Sequence, residues 1–263
     1  GTMLQVRNER GTLVYSKIKS KEASEKIVYN TLTVPVRERF QLVLADGTKV
    51  FLNSGSEMRY PERFGKARRE VFLKGEAWFE VAKDSAREFW VHAGAMDVKV
   101  LGTSFNVKAY ERLETVATTL VEGSVEVACA GKSFQIVPGE QFVYDKNNRV
   151  MDVRMVDTES YVSWKDGYYK FRQTTLEEIM ETLSVWYGLN VFYVNESAKQ
   201  VEFTGKVRRY EDARMLLDKF EQTGDVVFDI KGNNVFITIK QKKPFAREWN
   251  SFLVKARGMV WQS

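Results

Sequence analysis

Between Thr33 and Val156 the sequence repeats at a period of two, and this constrains the fold more than any other feature. "FQLVLA", "KVFLN", "REVFLKGEAWFEVA", "FWVHAG", "MDVKVLG", "SFNVKAY", "TVATTLVEGSVEVACA", "SFQIVPGEQFVYD" and "RVMDVRMV" alternate apolar and polar or run apolar outright, broken by Gly, Asn, Asp and Pro. Successive side chains on a strand point to opposite faces, so this period marks strands with one buried face. Short strands separated by turn residues predict an all-β sandwich or roll. No helical period survives in the stretch. One submotif recurs in "VFLKGEAWFEV", "VKVLGTSFNV", "TTLVEGSVEV" and "QIVPGEQFVY", placing Gly75, Gly102, Gly123 and Gly139 between strand halves. Their spacing is uneven, which argues against a fixed-period solenoid. They are expected at bends or bulges. No helix follows any of them, which argues against a phosphate cradle.

After Trp164 the pattern becomes mixed. "YYKFR" reads as a strand and "TTLEEIMETLSVWYG" as a helix, with Thr174 and Glu177 at capping-box spacing and Gly188 as its stop. Leu176, Ile179, Met180, Leu183, Trp186 and Tyr187 fall on one face of that helix. "LNVFYV" and "VEFTGKV" read as strands. "YEDARMLLDKFEQTG" reads as a second helix, with Ala213, Leu216, Leu217 and Phe220 inward and Gly224 as its stop. "VVFDIKGNNVFITIK" reads as a hairpin. The expected architecture is a β-rich domain of short strands followed by a small two-layer α/β domain in the order β-α-β-β-α-β-β. The expected division is a lead-in over 1–32, an all-β domain over 33–157, an α/β domain over 158–240 and a basic amphipathic tail over 241–263. In the tail, Phe245, Trp249, Phe252, Leu253, Ala256, Met259 and Val260 form a helical stripe.

The chemistry-bearing residues are few. With 263 residues, 44% of them hydrophobic, the chain can build real cores. The net charge of +5 is interleaved along the chain and too dispersed to point to nucleic acid, though it suits a soluble surface or proximity to anionic lipid. The single cysteine, Cys129, excludes an intrachain disulfide and reads as a small buried strand residue. The single histidine, His92, would have to serve any Ser–His or Cys–His system, yet alternation in "FWVHAG" makes it an ordinary strand residue. No catalytic or cofactor residue is assigned, and no Cys/His ligand set or Asp-rich loop points to a metal. Glu76 and Glu80 could be glycosidase carboxylates and Trp78, Trp90 and Trp164 could stack on sugar, so a carbohydrate-binding or carbohydrate-active β-domain is the alternative reading.

"LADGTKVFLNSGSEMRYP", Leu44 to Pro61, reads first as turn punctuation, with Asp46-Gly47 as one tight turn and Asn53-Ser54-Gly55-Ser56 as the next. No run reaches the ~20 apolar residues of a membrane span, and no signal peptide is visible. The opening Gly1-Thr2-Met3 reads as a join to an internal start, so any targeting or membrane segment is expected upstream.

These motifs also carry a family resemblance. "LADGTKVFLNSGSEMRYP", "REVFLKGEAWFEVAKD", "FWVHAGAMDVKVLGTSFNVKAY", "TTLVEGSVEV" and "VPGEQ" resemble the FecR domain of Bacteroidetes-type anti-sigma regulators. "WKDGYYKFRQTTLEEIMETLSVWYGLNVFY" and "FTGKV" are similar to the α/β domain that commonly follows it, itself related to short signalling domains of TonB-dependent receptors and secretins. The chain departs from the family at "VPVRERFQL", where a glycine is common near Arg37 or Glu38. The resemblance implies the periplasmic portion of a single-pass inner-membrane protein that is not an enzyme. An upstream transmembrane helix and a cytoplasmic segment holding an extracytoplasmic-function (ECF) sigma factor would complete it. The implied periplasmic partner is the signalling domain of an outer-membrane TonB-dependent transducer, with no nucleic acid and no cofactor involved. That partner is expected on a sheet edge of the α/β domain, at "VEFTGKV" or "VVFDI", with Val201, Phe203, Arg208, Arg209, Val226 and Phe228 as the residues concerned.

Overall fold

The computed structural model of the protein describes residues 4–9, 12–17, 27–209, 212–222 and 225–240, the first two stretches as backbone only. Two strands, β1 (Leu4–Glu9) and β2 (Thr12–Lys17), precede β3 (Tyr29–Thr33), β4 (Phe40–Val43), β5 (Lys49–Leu52) and β6 (Glu57–Pro61). The long β7 (Arg69–Glu80) leads into β8 (Phe89–Ala93), β9 (Met96–Val100), β10 (Ser104–Ala109) and β11 (Thr115–Glu122). β12 (Val125–Cys129), β13 (Lys132–Ile136), β14 (Glu140–Asp145) and β15 (Val150–Met155) follow. One face of the roll runs β1-β2-β4-β5-β7-β10-β11-β14-β15 and the other β3-β6-β7-β8-β9-β12-β13, so β7 belongs to both. This β-rich N-terminal region is as the alternation predicts.

Gly75 is the hinge of that shared strand. Its N-terminal side, from Arg69 to Lys74, pairs with β6 and β8, while Gly75 to Glu80 pairs with β10 and Ala77 to Glu80 with β5. Strands that switch sheets turn the corner through a local bend. Gly75 takes φ +110, and a Cβ there would lie 2.5 Å from the Ser56 hydroxyl. Gly102 has no left-handed φ, yet a Cβ would sit 2.8 Å from the Lys83 Cα, so close approach is its reason to be glycine.

The space between the faces is filled by the inward half of each strand. In β8, Phe89, Val91 and Ala93 are buried while Trp90 and His92 are half-exposed. Phe79 and Phe105 stack at 5.2 Å between centroids, with both rings fully buried. Each such ring contributes about 2–3 kcal/mol by leaving water. Cys129 is buried in this core, and burial raises its thiol pKa. His92 stacks on Phe72 and bonds Asp97 at 2.7 Å on the outer surface.

The C-terminal region begins with a short α1 (Glu159–Val162) and a 3-10 turn over Ser163–Asp166, neither of which the sequence pattern predicts. It continues through β16 (Tyr168–Thr175), α2 (Leu176–Tyr187), β17 (Asn190–Tyr193), β18 (Glu202–Arg208), α3 (Ala213–Glu221), β19 (Val226–Lys231) and β20 (Asn234–Ile239). The order from β16 is the predicted β-α-β-β-α-β-β. β16 pairs antiparallel with β18, while β20 lies between β17, parallel to it, and β19, antiparallel. The six apolar residues expected inward on α2 are buried, as are the four on α3. The N-cap of α2 is Thr175 rather than Thr174: Thr175 Oγ1 accepts from Glu178 N, while Thr174 Oγ1 accepts from Arg172 N in a bulge of β16. Gly188 closes the helix at φ +68. Gly224 and the tail 241–263 lie outside the described residues, as do residues 1–3, 10–11 and 18–26 of the lead-in.

Candidate functional site

The strands expected to offer edges have one neighbour each among the described residues: β18 pairs only with β16, and β19 only with β20. Their side chains divide sharply. Phe203, Val226 and Phe228 are buried in the core of the α/β unit, Phe203 edge-on to Phe220 at 4.9 Å, so a partner could meet these residues only through backbone. Val201 is half-buried, and Arg208 is exposed. Arg209 differs from its neighbour. Its guanidinium lies 3.6 Å from the Trp186 ring centroid, Nη1 donates to Trp164 O at 3.4 Å, and its own N–H donates to Gly167 O. Partial burial and a ring fix Arg209 in place, so of the two arginines only Arg208 is free to be reversed without disturbing the fold.

The edge of β19 is partly closed, because Phe228 N donates to Glu221 Oε1 from α3 at 2.6 Å. The outer edge of β18 carries exposed Thr204, Gly205 and Lys206, and nothing lies within 4 Å of a Cβ built on Gly205. The strand read at "LNVFYV" is β17, but its place at an edge was missed: it lies mid-chain in the α/β unit and pairs, among the described residues, only with β20. Its parallel pairing with β20 could not be read from local pattern. The one available signal was the alternation in "NVFYV", which turns Phe192 and Val194 outward. Both are exposed, and Phe192 stacks on Phe236 at 5.1 Å.

The turn Asn53–Ser56 does more than punctuate a hairpin. Asn53, Ser54 and Ser56 are buried, because the α/β unit sits on this face of the roll. The Ser54 hydroxyl donates to Val185 O and Trp186 O, at 3.3 and 3.2 Å. Those are last-turn carbonyls of α2, which a helix cannot satisfy internally. Ser54 Oγ also accepts from Arg37 N at 2.9 Å, and Tyr110 OH donates to Ser54 O at 2.8 Å. Beside this turn, Glu76 is buried with one carboxylate oxygen taking Asn53 Nδ2 at 2.8 Å and the other Asn106 Nδ2 at 2.9 Å. Trp164 Nε1 donates across to Asn106 Oδ1 at 3.3 Å. Burial raises the Glu76 pKa, opposed by Lys108 and the two amides. Lys108 faces Glu181 of α2 at 3.8 Å, and Arg39 donates to Lys165 O. Around these polar links Trp78, Phe51 and Val121 pack into the α/β core, and Tyr110 and Leu113 close on Val185. The seam therefore joins the roll and the α/β unit through hydrogen bonds, an ion pair and apolar contact.

Glu76, one of the two candidate glycosidase carboxylates, has both oxygens engaged by amides. Glu80 sits by Lys49 at 3.6 Å and accepts from Trp78 Nε1. Among the described residues no cluster of His, Cys, Asp and Glu is placed to hold a metal ion, and no helix is long and apolar enough to cross a membrane.

A β-roll locked by a polar seam to a small α/β unit with open strand edges has the build of a bipartite interaction module. The comparisons with known proteins define the class more closely. The FecR protein family model matches residues 30–126, and the FecR C-terminal model matches residues 168–237. Crystal structures of a protein from Parabacteroides distasonis ATCC 8503 assigned as an anti-sigma factor, at 1.65 and 2.50 Å, superpose with TM-scores of 0.73 and 0.72. Each is 27% identical to this chain and covers 81% of it and all of its own length. No curated protein sequence matches. The chain belongs to the FecR family of anti-sigma regulators.

Proposed function

We propose that the chain is the periplasmic sensing portion of a membrane-anchored anti-sigma regulator. It receives a signal from an outer-membrane TonB-dependent transducer and passes it to a cytoplasmic segment that holds an ECF sigma factor. The tandem match to both FecR models, in order along one chain, carries this reading. The signalling domain of the transducer docks on the α/β unit by adding a strand to β18, whose outer edge is the less obstructed of the two expected edges. Exposed backbone supplies the affinity and Arg208 adds charge complementarity at the rim. The seam then gives the docking event a route into the roll, because α2 is held by residues of both the roll and the α/β unit.

The test is a binding titration of the chain with candidate transducer signalling domains. The expected result is one domain that binds, with affinity reduced about tenfold (~1.4 kcal/mol) by Arg208→Glu at unchanged melting temperature. If no transducer domain binds, the functional reading fails. If one binds and Arg208→Glu leaves its affinity intact, the β18 edge fails and the function stands.

A further inference from the structure

A cavity of about 210 Å³ lies inside the seam, lined from the roll by Asn106, Lys108 and Gln141 and from the α/β unit by Ser163, Trp164 and Tyr169. It continues into an open groove that shares Arg154, Ser160, Tyr161, Lys170, Thr174 and Glu178 with it, so the cavity has a path to solvent. Buried polar groups are rarely left without a hydrogen bond, and each exception asks for a reason. Four buried side-chain polar atoms make no hydrogen bond among the described residues, and three of them are hydroxyls that line this cavity: Ser160, Ser163 and Tyr169. Ser163 is 5% exposed and Tyr169 4%.

Three of the charged groups around the cavity are held by partners. Glu76 is held by two amides, Lys108 faces Glu181, and Lys170 pairs with Asp157 at 3.1 Å and with Glu159. Arg154, which donates to Gln141 Oε1 at 3.4 Å, and Glu178 complete a lining of three bases and three acids, so its formal charge sums to zero and favours neither an anion nor a cation. What remains unsatisfied is hydroxyl chemistry, able both to donate and to accept, beside the aromatic surfaces of Trp164, Tyr161 and Phe171. Aromatic faces flanked by neutral donors and acceptors suit a ring that is apolar on its faces and hydroxylated at its rim.

We infer that this cavity is a binding site for a small neutral polyol of the monosaccharide class, held between the roll and the α/β unit. Its lining comes from both, so such a ligand favours the docked arrangement over any separated one. The inference is independent of which transducer docks at β18.

The experiment uses the full chain with D-glucose, D-galactose, N-acetyl-D-glucosamine and myo-inositol as probes, and glycine betaine and citrate as zwitterionic and anionic controls. Melting temperature and backbone amide shifts are followed. At least one neutral probe should raise the melting temperature and move amides of residues 160–171. Tyr169→Phe and Ser163→Ala, each removing one unpartnered hydroxyl, should weaken that binding about tenfold while the unliganded variants keep the wild-type melting temperature or exceed it. The inference is overturned if none of the four neutral probes moves those amides, if betaine or citrate binds in their place, or if both variants bind like the wild type. A crystal grown with the tightest of the four probes that holds only water in the cavity overturns it as well.

Discussion

The interior of the roll and the seam beneath the α/β unit bury residues by opposite means. The interior is a stack of apolar side chains such as Phe79, Phe105, Val91 and Leu120, each 0% exposed. The seam buries Asn53, Ser54, Glu76 and Asn106, and satisfies them with one another and with the last turn of α2. Non-directional burial tolerates small shifts of one layer on the other. A buried polar network does not, since one lost partner leaves a desolvated group. The roll is thus built for stability, and the seam for one defined orientation of the unit that offers open edges.

The largest expected loss lies in the interior. Phe105→Ala removes half of a stacked ring pair and should cost about 3–5 kcal/mol by chemical denaturation. A loss below ~1 kcal/mol would mean that the faces of the roll can collapse around the gap. Next comes a cation buried within the roll. Arg69 is fully buried, with Nη1 on Asp46 Oδ2 at 2.8 Å and further bonds to the carbonyls of Ala82 and Arg87. Asp46→Ala strands that cation and should cost about 3 kcal/mol, while a near-neutral result would show that the carbonyls alone hold it.

A smaller loss, about 2 kcal/mol, is expected of Asn106→Ala in the seam, which removes a donor to Glu76 and the acceptor of Trp164 Nε1. Its pH dependence sharpens the contrast. Glu76 has a folded pKa above its unfolded value, so it costs nothing below the ordinary carboxylate range. The cost develops as pH rises from the unfolded pKa through the folded one and is complete above it. Asn106 is one of the groups that limit that rise. The variant should therefore lose more stability near neutrality than in acid, whereas Phe105→Ala should show no such difference. Equal losses at both pH values would remove Glu76 from the account.

The smallest effect is a gain. Glu38 N donates to Pro35 O, and Arg37 takes φ +70, the position of this turn that favours glycine. Arg37→Gly should stabilise the chain by up to about 1 kcal/mol, since relief of the left-handed strain is partly offset by glycine's greater unfolded-state freedom. Destabilisation would show that the exposed arginine makes a contact worth more than its strain.

That turn also shows what could be read in advance. The family glycine missing near Arg37 was visible in the sequence, but its meaning was not until the φ angle and the bond from Arg37 N to Ser54 were known. Strand alternation was legible wherever one face meets an interior, as in Phe89, Val91 and Ala93, because that information is local. One face of α2 was legible for the same reason. Its other face was not: Ser184 and Val185 are buried because Tyr110, Leu113 and Ser54, far earlier in the chain, lie against that helix. Glu76 entered the sequence reading only as a candidate glycosidase carboxylate; its place in the seam was not legible, because it points outward from the roll into a surface that a later segment covers. Edges were half legible. β18 and β19 could be proposed from pattern, while β17 became an edge only through its parallel pairing with β20.

The central claim is that the seam fuses the roll and the α/β unit into a single cooperative body, and scanning calorimetry of the full chain tests it most directly. The account predicts a single transition in the wild type, with calorimetric and van't Hoff enthalpies equal, resolving into two when Asn106→Ala loosens the seam. Two separate transitions in the wild-type chain, with the roll melting at the same temperature whether or not the seam is intact, would contradict it.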